Sequence, residues 1–162
     1  MSDTPFRHAG DLPDDAAQPP PLGRSLITVI GINNYVEQDP LTNARKDAED
    51  VLKLFKRCGF EELAEAPSLF DEQATRGAIE SLVLEQLPGA LRPDDSLVLF
   101  YAGHGATTKS TAPDPEDASK MKDRYTGYLI PVGARRQKPS DWLQLDPFLE
   151  ADNTQAIKPS CL

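Results

Sequence analysis

Residues 95–105 read DSLVLFYAGHG, and this stretch decides how the chain is interpreted. Its apolar part, residues 96–101, has the length and composition of a strand that is buried on both faces. Gly103, His104 and Gly105 follow directly, so we expect His104 at the carboxyl end of that strand. Ligands of open α/β sheets gather at this edge, and a histidine there can transfer protons near neutral pH. The stretch therefore predicts a functional site at His104.

The two glycines beside His104 add to this prediction. They allow unusual backbone angles and leave room for a substrate backbone. The backbone N–H of Gly105 is also a candidate donor to an oxyanion. Taken alone, the motif leaves a second interpretation open, in which His104 is a turn histidine bonded to a loop carbonyl.

The pattern outside this stretch predicts a parallel α/β sheet. Residues 26–32 (LITVIGI) form a second apolar, β-branched run, and residues 66–70 are expected to form a short strand. Apolar residues at helical spacing predict helices over residues 43–57, with Asn43 as the cap, and residues 75–87, ended by Pro88. Strand, helix, short strand, helix and strand in this order are typical of right-handed crossovers in a parallel sheet.

Two segments lack such patterns. Residues 1–24 are rich in Pro and Asp and cannot bury enough apolar surface to offset their ordering entropy, so we expect a disordered leader. Residues 106–124 are polar and show neither helical nor strand period, so we expect a mobile loop. The sequence resumes as an expected strand at residues 128–132 (YLIPV). The folded domain is accordingly predicted to span residues 25–162.

Composition excludes several classes of function. The chain has 162 residues and a formal net charge of −9, which argues against a nucleic acid partner. No apolar run approaches the length of a membrane span, and the N-terminus has no apolar signal core. The two cysteines are too few for a disulfide framework, so a cytoplasmic location is expected.

Several segments, ITVIGINNY, LTNARKDAEDV, DEQATRGAI, DSLVLFYAGHG and TGYLIPV, resemble the caspase and metacaspase superfamily in order and spacing. The resemblance covers about residues 26–149, and the YAGHG and GYLIPV segments are typical of the metacaspase-like branch. It implies a three-layer αβα sandwich with a mostly parallel sheet. It also implies a cysteine-type endopeptidase that cleaves a peptide or protein substrate with a Cys–His dyad.

The resemblance assigns roles to particular residues. His104 matches the family's motif histidine, which polarises the cysteine or protonates the leaving amine, and Gly105 matches the glycine whose amide binds the oxyanion. Asn33, Asn34 and Tyr35 follow the first strand and are either a turn with an aromatic plug or a wall of the substrate cleft.

No cofactor is expected, although the resemblance allows calcium. The acidic residues of the long loop have no calcium-loop spacing and are interpreted as solvated, as are the charged residues 45–50 of the first helix. The loop acids are Asp114, Glu116, Asp117 and Asp123. No metal site is therefore predicted.

The nucleophile is where the sequence departs from the family. The family's cysteine follows an apolar strand in an Asp-x-Cys-x-Gly context, whereas this chain ends ADNTQAIKPSCL. Cys161 lacks that context and lies beside the terminus, so its role as nucleophile is kept only as an alternative. Cys58, at a helix end, is expected to be at least half-buried.

We therefore expect the chain to be truncated before the catalytic cysteine, the sheet to be incomplete at its C-terminal side, and the chain itself to be inactive. The alternative is a non-catalytic pseudo-protease or interaction module that binds an intact caspase-like partner.

Overall fold

A computed structural model of the chain describes residues 23–146 except 116 and 118. Within these residues, six strands form two sheets. The first sheet is parallel, with strand order β2-β1-β3, and consists of β1 (Ser25–Gly31), β2 (Leu69–Phe70) and β3 (Ser96–Ala102). The second is antiparallel, with strand order β4-β5-β6, and consists of β4 (Gly105–Pro113), β5 (Met121–Leu129) and β6 (Leu143–Gln144).

Strand β1 forms the centre of the described parallel sheet. Its side chains alternate between two apolar clusters, as the period of a strand requires. Ile27 and Val29 pack with α1 (Ala44–Arg57) on one face. Leu26 and Ile30 pack on the other face with the second helical segment. Helices thus cover both faces, and the expected three-layer α/β arrangement is confirmed.

Helix α1 begins and ends with the residue types that the sequence indicated. Its apolar side, which includes the fully buried Ala48, lies on β1. Asn43 precedes the helix but makes no side-chain cap bond. The side chain of Asn33 accepts from the Arg45 amide instead, at 3.0 Å. Gly59 follows the helix with φ +88°, in the left-handed region where glycine is favoured.

The second helical segment is longer than the sequence predicts. It runs through α2 (Arg76–Ser81), a π-helical stretch (Leu82–Gln86) and α3 (Leu87–Ala90). Thr75 caps it by accepting from the Ala78 amide at 3.2 Å. Pro88 was expected to end the helix, yet it lies inside α3. The wider π turn, in which the Leu87 amide bonds to the Leu82 carbonyl, relieves the clash that proline causes in a regular helix.

The prediction of a loop at residues 106–124 is wrong, because β4 and β5 form a long antiparallel ribbon across most of these residues. Their register runs from Gly105↔Leu129 to Pro113↔Met121. The strand expected at residues 128–132 accordingly starts earlier, at Met121, and ends at Leu129. Both faces of the outer ribbon are largely exposed, so no apolar alternation marks these strands in the sequence. The mobility of the segment stays a prediction.

The folded domain also begins slightly earlier than expected. Arg24 belongs to it, because its guanidinium pairs with the buried carboxylate of Asp95 at 2.5 Å. The rest of the expected leader, residues 1–22, lies outside the described residues, as does Cys161. Within the described part of the chain, no helix combines the length and the apolar character needed to cross a membrane.

Candidate active site

His104 lies just beyond the end of β3, at the carboxyl edge of the parallel sheet. The segment that follows β1 reaches the same place. We call residues 33–41 the histidine loop because two of its residues contact His104. The Tyr35 ring packs against the imidazole with 4.7 Å between ring centroids. The structure thus places His104 at the position that the sequence predicts, partly exposed and beside Tyr35.

Two tyrosine hydroxyls bond the backbone of His104. The His104 amide donates to the Tyr35 hydroxyl at 2.7 Å, and the Tyr101 hydroxyl donates to the His104 carbonyl at 2.9 Å. The two hydroxyls lie 3.3 Å apart. Burial raises the pKa of both tyrosines, so both hydroxyls keep their protons near neutral pH. His104 is therefore held on both sides of its backbone.

Gly103 is required by this tyrosine pair. A Cβ atom at Gly103 would lie 2.5 Å from the Tyr35 hydroxyl oxygen and 2.6 Å from the Tyr101 hydroxyl oxygen. Real Cβ atoms do not come so close, so any side chain would separate the hydroxyls from His104. The first glycine of the motif thus makes room for the protein's own side chains.

One imidazole nitrogen of His104 is already bonded. Nε2 lies 2.7 Å from the backbone carbonyl of Asp39. A carbonyl can only accept, so Nε2 carries the proton of the neutral imidazole, and Nδ1 is the nitrogen with the free lone pair. The loop-carbonyl bond of the alternative interpretation is therefore present. It leaves the second ring nitrogen available for proton transfer.

The amide of Gly105 lies outside the ladder between β4 and β5. Gly105 is opposite Leu129, and the Ile130 amide bonds to the His104 carbonyl at 3.0 Å. In an antiparallel pair, this pattern makes Gly105 and Leu129 a non-hydrogen-bonded pair. The Gly105 N–H therefore points away from β5, as an oxyanion donor must.

Asp71 is the residue of this region that sequence reasoning missed. It follows β2, and its carboxylate is 1% exposed. It accepts from the amides of Asn33 at 2.7 Å and Asn34 at 3.0 Å, and from Arg45 Nη1 at 2.8 Å. Burial would raise the pKa of Asp71, but these donors outweigh burial and hold the pKa below its usual value. The sequence offered one signal for Asp71. It is an acidic residue directly after a short strand, and two consecutive asparagines follow the neighbouring strand.

These contacts also bear on other expected residues. Arg45 was interpreted as part of a solvated helix face, but it pairs with a buried carboxylate because α1 starts beside Asp71. The Asn33 carbonyl accepts from amides of the loop, and its side chain bonds to Thr42 and to the Arg45 amide of α1. Tyr35 is buried against His104. Of Asn33, Asn34 and Tyr35, only Asn34 is exposed. A role for these three residues in substrate binding stays a prediction.

Cys58 is exposed, contrary to the expectation of burial, because it follows α1 where the chain turns at Gly59. It lies at the other edge of the sheet. The Glu61 amide bonds to Ser25, the first residue of β1, and the seven residues of β1 span about 20 Å towards the edge that carries His104. Cys58 is therefore not a partner for His104.

A family model described as a caspase domain matches residues 24–157, most of the chain. The chain belongs to the caspase-domain family. No curated protein matches it. The family match, together with the parallel sheet and its helices, confirms the caspase-like α/β fold that the sequence predicts.

The resemblance allows calcium in this caspase domain. Within the residues that the structure describes, there is no group of three His, Cys, Asp or Glu side chains that could hold a metal ion. Asp117 bonds to Ser119 and Lys120, and Asp123 bonds to Thr111 and Lys109. These carboxylates of the ribbon are therefore engaged by neighbouring side chains.

A cleft of about 540 Å³ opens beside the histidine loop of the caspase domain. It is lined by Val36 and Glu37 of that loop, by the start of α2, and by Pro131, Gly133, Ala134, Arg135 and Asp141. Two of its cations are already paired, Arg76 with Glu80 and Arg135 with Asp141. The loop that reaches His104 thus also lines this cleft.

Proposed function

We propose that this caspase domain serves cysteine-type peptide hydrolysis, with His104 as the group that transfers the proton. The arrangement of the imidazole supports this most strongly, because Nε2 is bonded to the Asp39 carbonyl and Nδ1 is left to accept. The substrate class, a peptide or protein, follows from the family. The cytoplasmic location and a closer kinship with metacaspases stay predictions.

The chemistry follows from the two nitrogens. Nδ1 takes the proton of a cysteine thiol, and the thiolate attacks the carbonyl carbon of the scissile bond. Nδ1 then gives the proton to the leaving amine, which leaves a thioester for water to hydrolyse. The Asp39 carbonyl stabilises the imidazolium. A hydrogen bond from Arg136 lowers the pKa of the Asp39 carboxyl, so a negative charge persists nearby.

Gly105 completes the proposed chemistry. When the thiolate attacks, negative charge develops on the carbonyl oxygen of the substrate. The Gly105 N–H lies outside the strand ladder, one residue from His104, and is the proposed donor to that oxygen.

The described residues bring no thiol to His104, and we propose that the 162-residue chain alone is inactive. Reporter peptides with Arg, Lys or Asp before the cut should remain intact, with or without calcium. Cleavage that is lost in both Cys161→Ala and His104→Ala would contradict this and make Cys161 the nucleophile.

The endopeptidase proposal itself needs a chain that carries the nucleophile. Extension with an apolar strand ending in Asp-x-Cys-x-Gly, and with the family's downstream half, should produce cleavage. His104→Ala should remove it, because the thiol then has no proton acceptor. Equal cleavage by the His104→Ala version would exclude His104 from the reaction.

One observation favours a second function, the binding of an intact caspase-like partner. In the described part of the sheet, β3 is an edge strand, and its Leu99 is 40% exposed, whereas the apolar residues of β1 are fully buried. An exposed apolar edge strand is a site where another strand can pair. Leu99→Lys should weaken co-elution with such a partner if this edge binds it, and unchanged co-elution would exclude the edge.

A further inference from the structure

The histidine loop is a closed unit. The Leu41 amide donates to the Asn33 carbonyl at 2.9 Å, which joins the two ends of the loop. The loop makes two hydrogen bonds with His104, through the Tyr35 hydroxyl and the Asp39 carbonyl. A displacement of the loop as a whole would therefore move both the backbone and the imidazole partners of His104.

Asp71 holds the base of this loop. Its Oδ1 accepts from the amides of Asn33 and Asn34, and its Oδ2 accepts from Arg45 of α1. Asp71 has φ +44°, in the left-handed region that residues with side chains rarely adopt. Such a backbone persists only where its surroundings determine it, and here the three donors around the carboxylate do so.

The loop has a second charged attachment, which is weaker because it is exposed to solvent. Arg136 pairs with the Asp39 carboxylate at 2.7 Å and donates to the Glu37 carbonyl at 3.2 Å. Both partners of this ion pair are more than half exposed, and exposed ion pairs contribute little because water screens them. Asp71 is buried, so its charged hydrogen bonds are the stronger of these two charged attachments.

We propose that Asp71 is a positioning residue for His104. It does not touch the imidazole. It fixes the histidine loop, and the loop sets which ring nitrogen of His104 carries the proton and where the ring points. The proposal rests on the proposed function for the use made of that ring, but it can be measured without any catalysis.

The experiment reads the imidazole directly by nitrogen NMR in the 162-residue chain. His8→Gln removes the other histidine, so the signals belong to His104. At a pH where the ring is neutral, the parent chain should show the Nε2–H form almost alone. Asp71→Asn removes the charge at nearly constant size. It should produce a several-fold rise in the Nδ1–H form, because the Asp39 carbonyl is no longer held against Nε2.

A matched control is available at the opposite edge of the sheet. The Asp95 carboxylate is as buried as that of Asp71 and is also paired with an arginine, Arg24, but it lies just before β3. Asp95→Asn should destabilise the fold and leave the ratio of the two imidazole forms unchanged. The same change in both variants would mean that the ratio reports general loosening, and the proposal would be wrong.

A second variant decides the matter if Asp71→Asn does not fold. Arg45→Gln removes one donor from a half-exposed position and leaves the backbone bonds to Asn33 and Asn34 in place. It should shift the ratio in the same direction by less. A folded variant at either position with the parent ratio would overturn the proposal. Because no peptide is cleaved in this experiment, its failure leaves the endopeptidase proposal standing, and the reverse also holds.

Discussion

The two sheets meet at His104 and are stabilised in different ways. The parallel sheet has helices on both faces, and Ile27 of its central strand is fully buried. The ribbon of β4 and β5 begins at Gly105 and extends into solvent, where Tyr125 is 66% exposed. One side of the site thus rests on apolar packing, and the other rests on a backbone ladder with surface pairs. A substitution should therefore lower the free energy of unfolding far more in the parallel sheet than in the ribbon.

The largest effect is expected from a pair of truncations that compares the two regions. Ile27→Ala should lower the free energy of unfolding by about 2–5 kcal/mol, because it leaves a cavity between β1 and α1. Tyr125→Ala should change it by no more than about 0.5 kcal/mol, since that ring is mostly in water. Urea unfolding of the two variants measures both values. Equal losses would show that the ribbon is packed and that the comparison is wrong.

A smaller effect is expected where the two sheets join. Gly103→Ala should cost about 1–3 kcal/mol, because its methyl group would overlap the Tyr35 and Tyr101 hydroxyls. Gly133→Ala is the control, since a Cβ atom there meets nothing within 4 Å. Thermal unfolding of the two variants checks the difference. A Gly103→Ala domain as stable as the control would mean that the tyrosine pair does not surround this glycine.

Lowering the pH should weaken the contribution that Asp71 makes to stability on the parallel-sheet side of the site. The pKa of Asp71 is lowered from its ordinary value of 3.8 when the protein folds, because its donors outweigh burial. Its stabilising contribution is therefore complete above that value and is lost as pH falls through the lower, folded pKa. Asp71→Asn should accordingly flatten the loss of stability below about pH 4. Denaturant titrations between neutral and strongly acidic pH test this, and an unchanged slope would contradict it.

The mildest perturbation is limited digestion with trypsin. The ribbon carries the exposed residues Lys109, Lys120, Lys122 and Arg124. We expect the first cuts there, or at Arg7 or Arg24 of the leader that the sequence predicts, because a two-stranded ribbon with solvated faces opens more easily than a packed helix. Mass spectrometry of the early fragments identifies the sites. First cuts within α1 would show that the packed layer opens before the ribbon.

The same difference explains what could be predicted from the sequence. Strands β1 and β3 are continuous apolar runs, so their positions, the parallel sheet and the place of His104 followed from composition and order. The ribbon has polar residues on both faces, so its strands carry no periodic signal. Periodic hydrophobic patterns arise from burial, so a strand with both faces in water does not show one.

The residues around His104 were harder to predict for another reason. Asp71 matters through a left-handed backbone and three donors from distant parts of the chain, and no local pattern encodes that combination. The Asp39 carbonyl is a backbone group, so no residue type in the sequence indicates that it bonds to His104. Pro88 was a clear stop signal, but a π turn two residues earlier accommodates it. Local rules failed for Asp71 and His104 because tertiary contacts supplied their partners, and for Pro88 because the helix itself distorts.

The central claim is that Nδ1 of His104 is the free acceptor at the edge where the two sheets meet. Nitrogen NMR of the unmodified 162-residue chain tests it most directly, with His8→Gln used for assignment. The account predicts that the neutral imidazole of His104 carries its proton on Nε2. A proton on Nδ1 would contradict it, because the Asp39 carbonyl would then have no donor and Nδ1 would have no lone pair to accept the thiol proton.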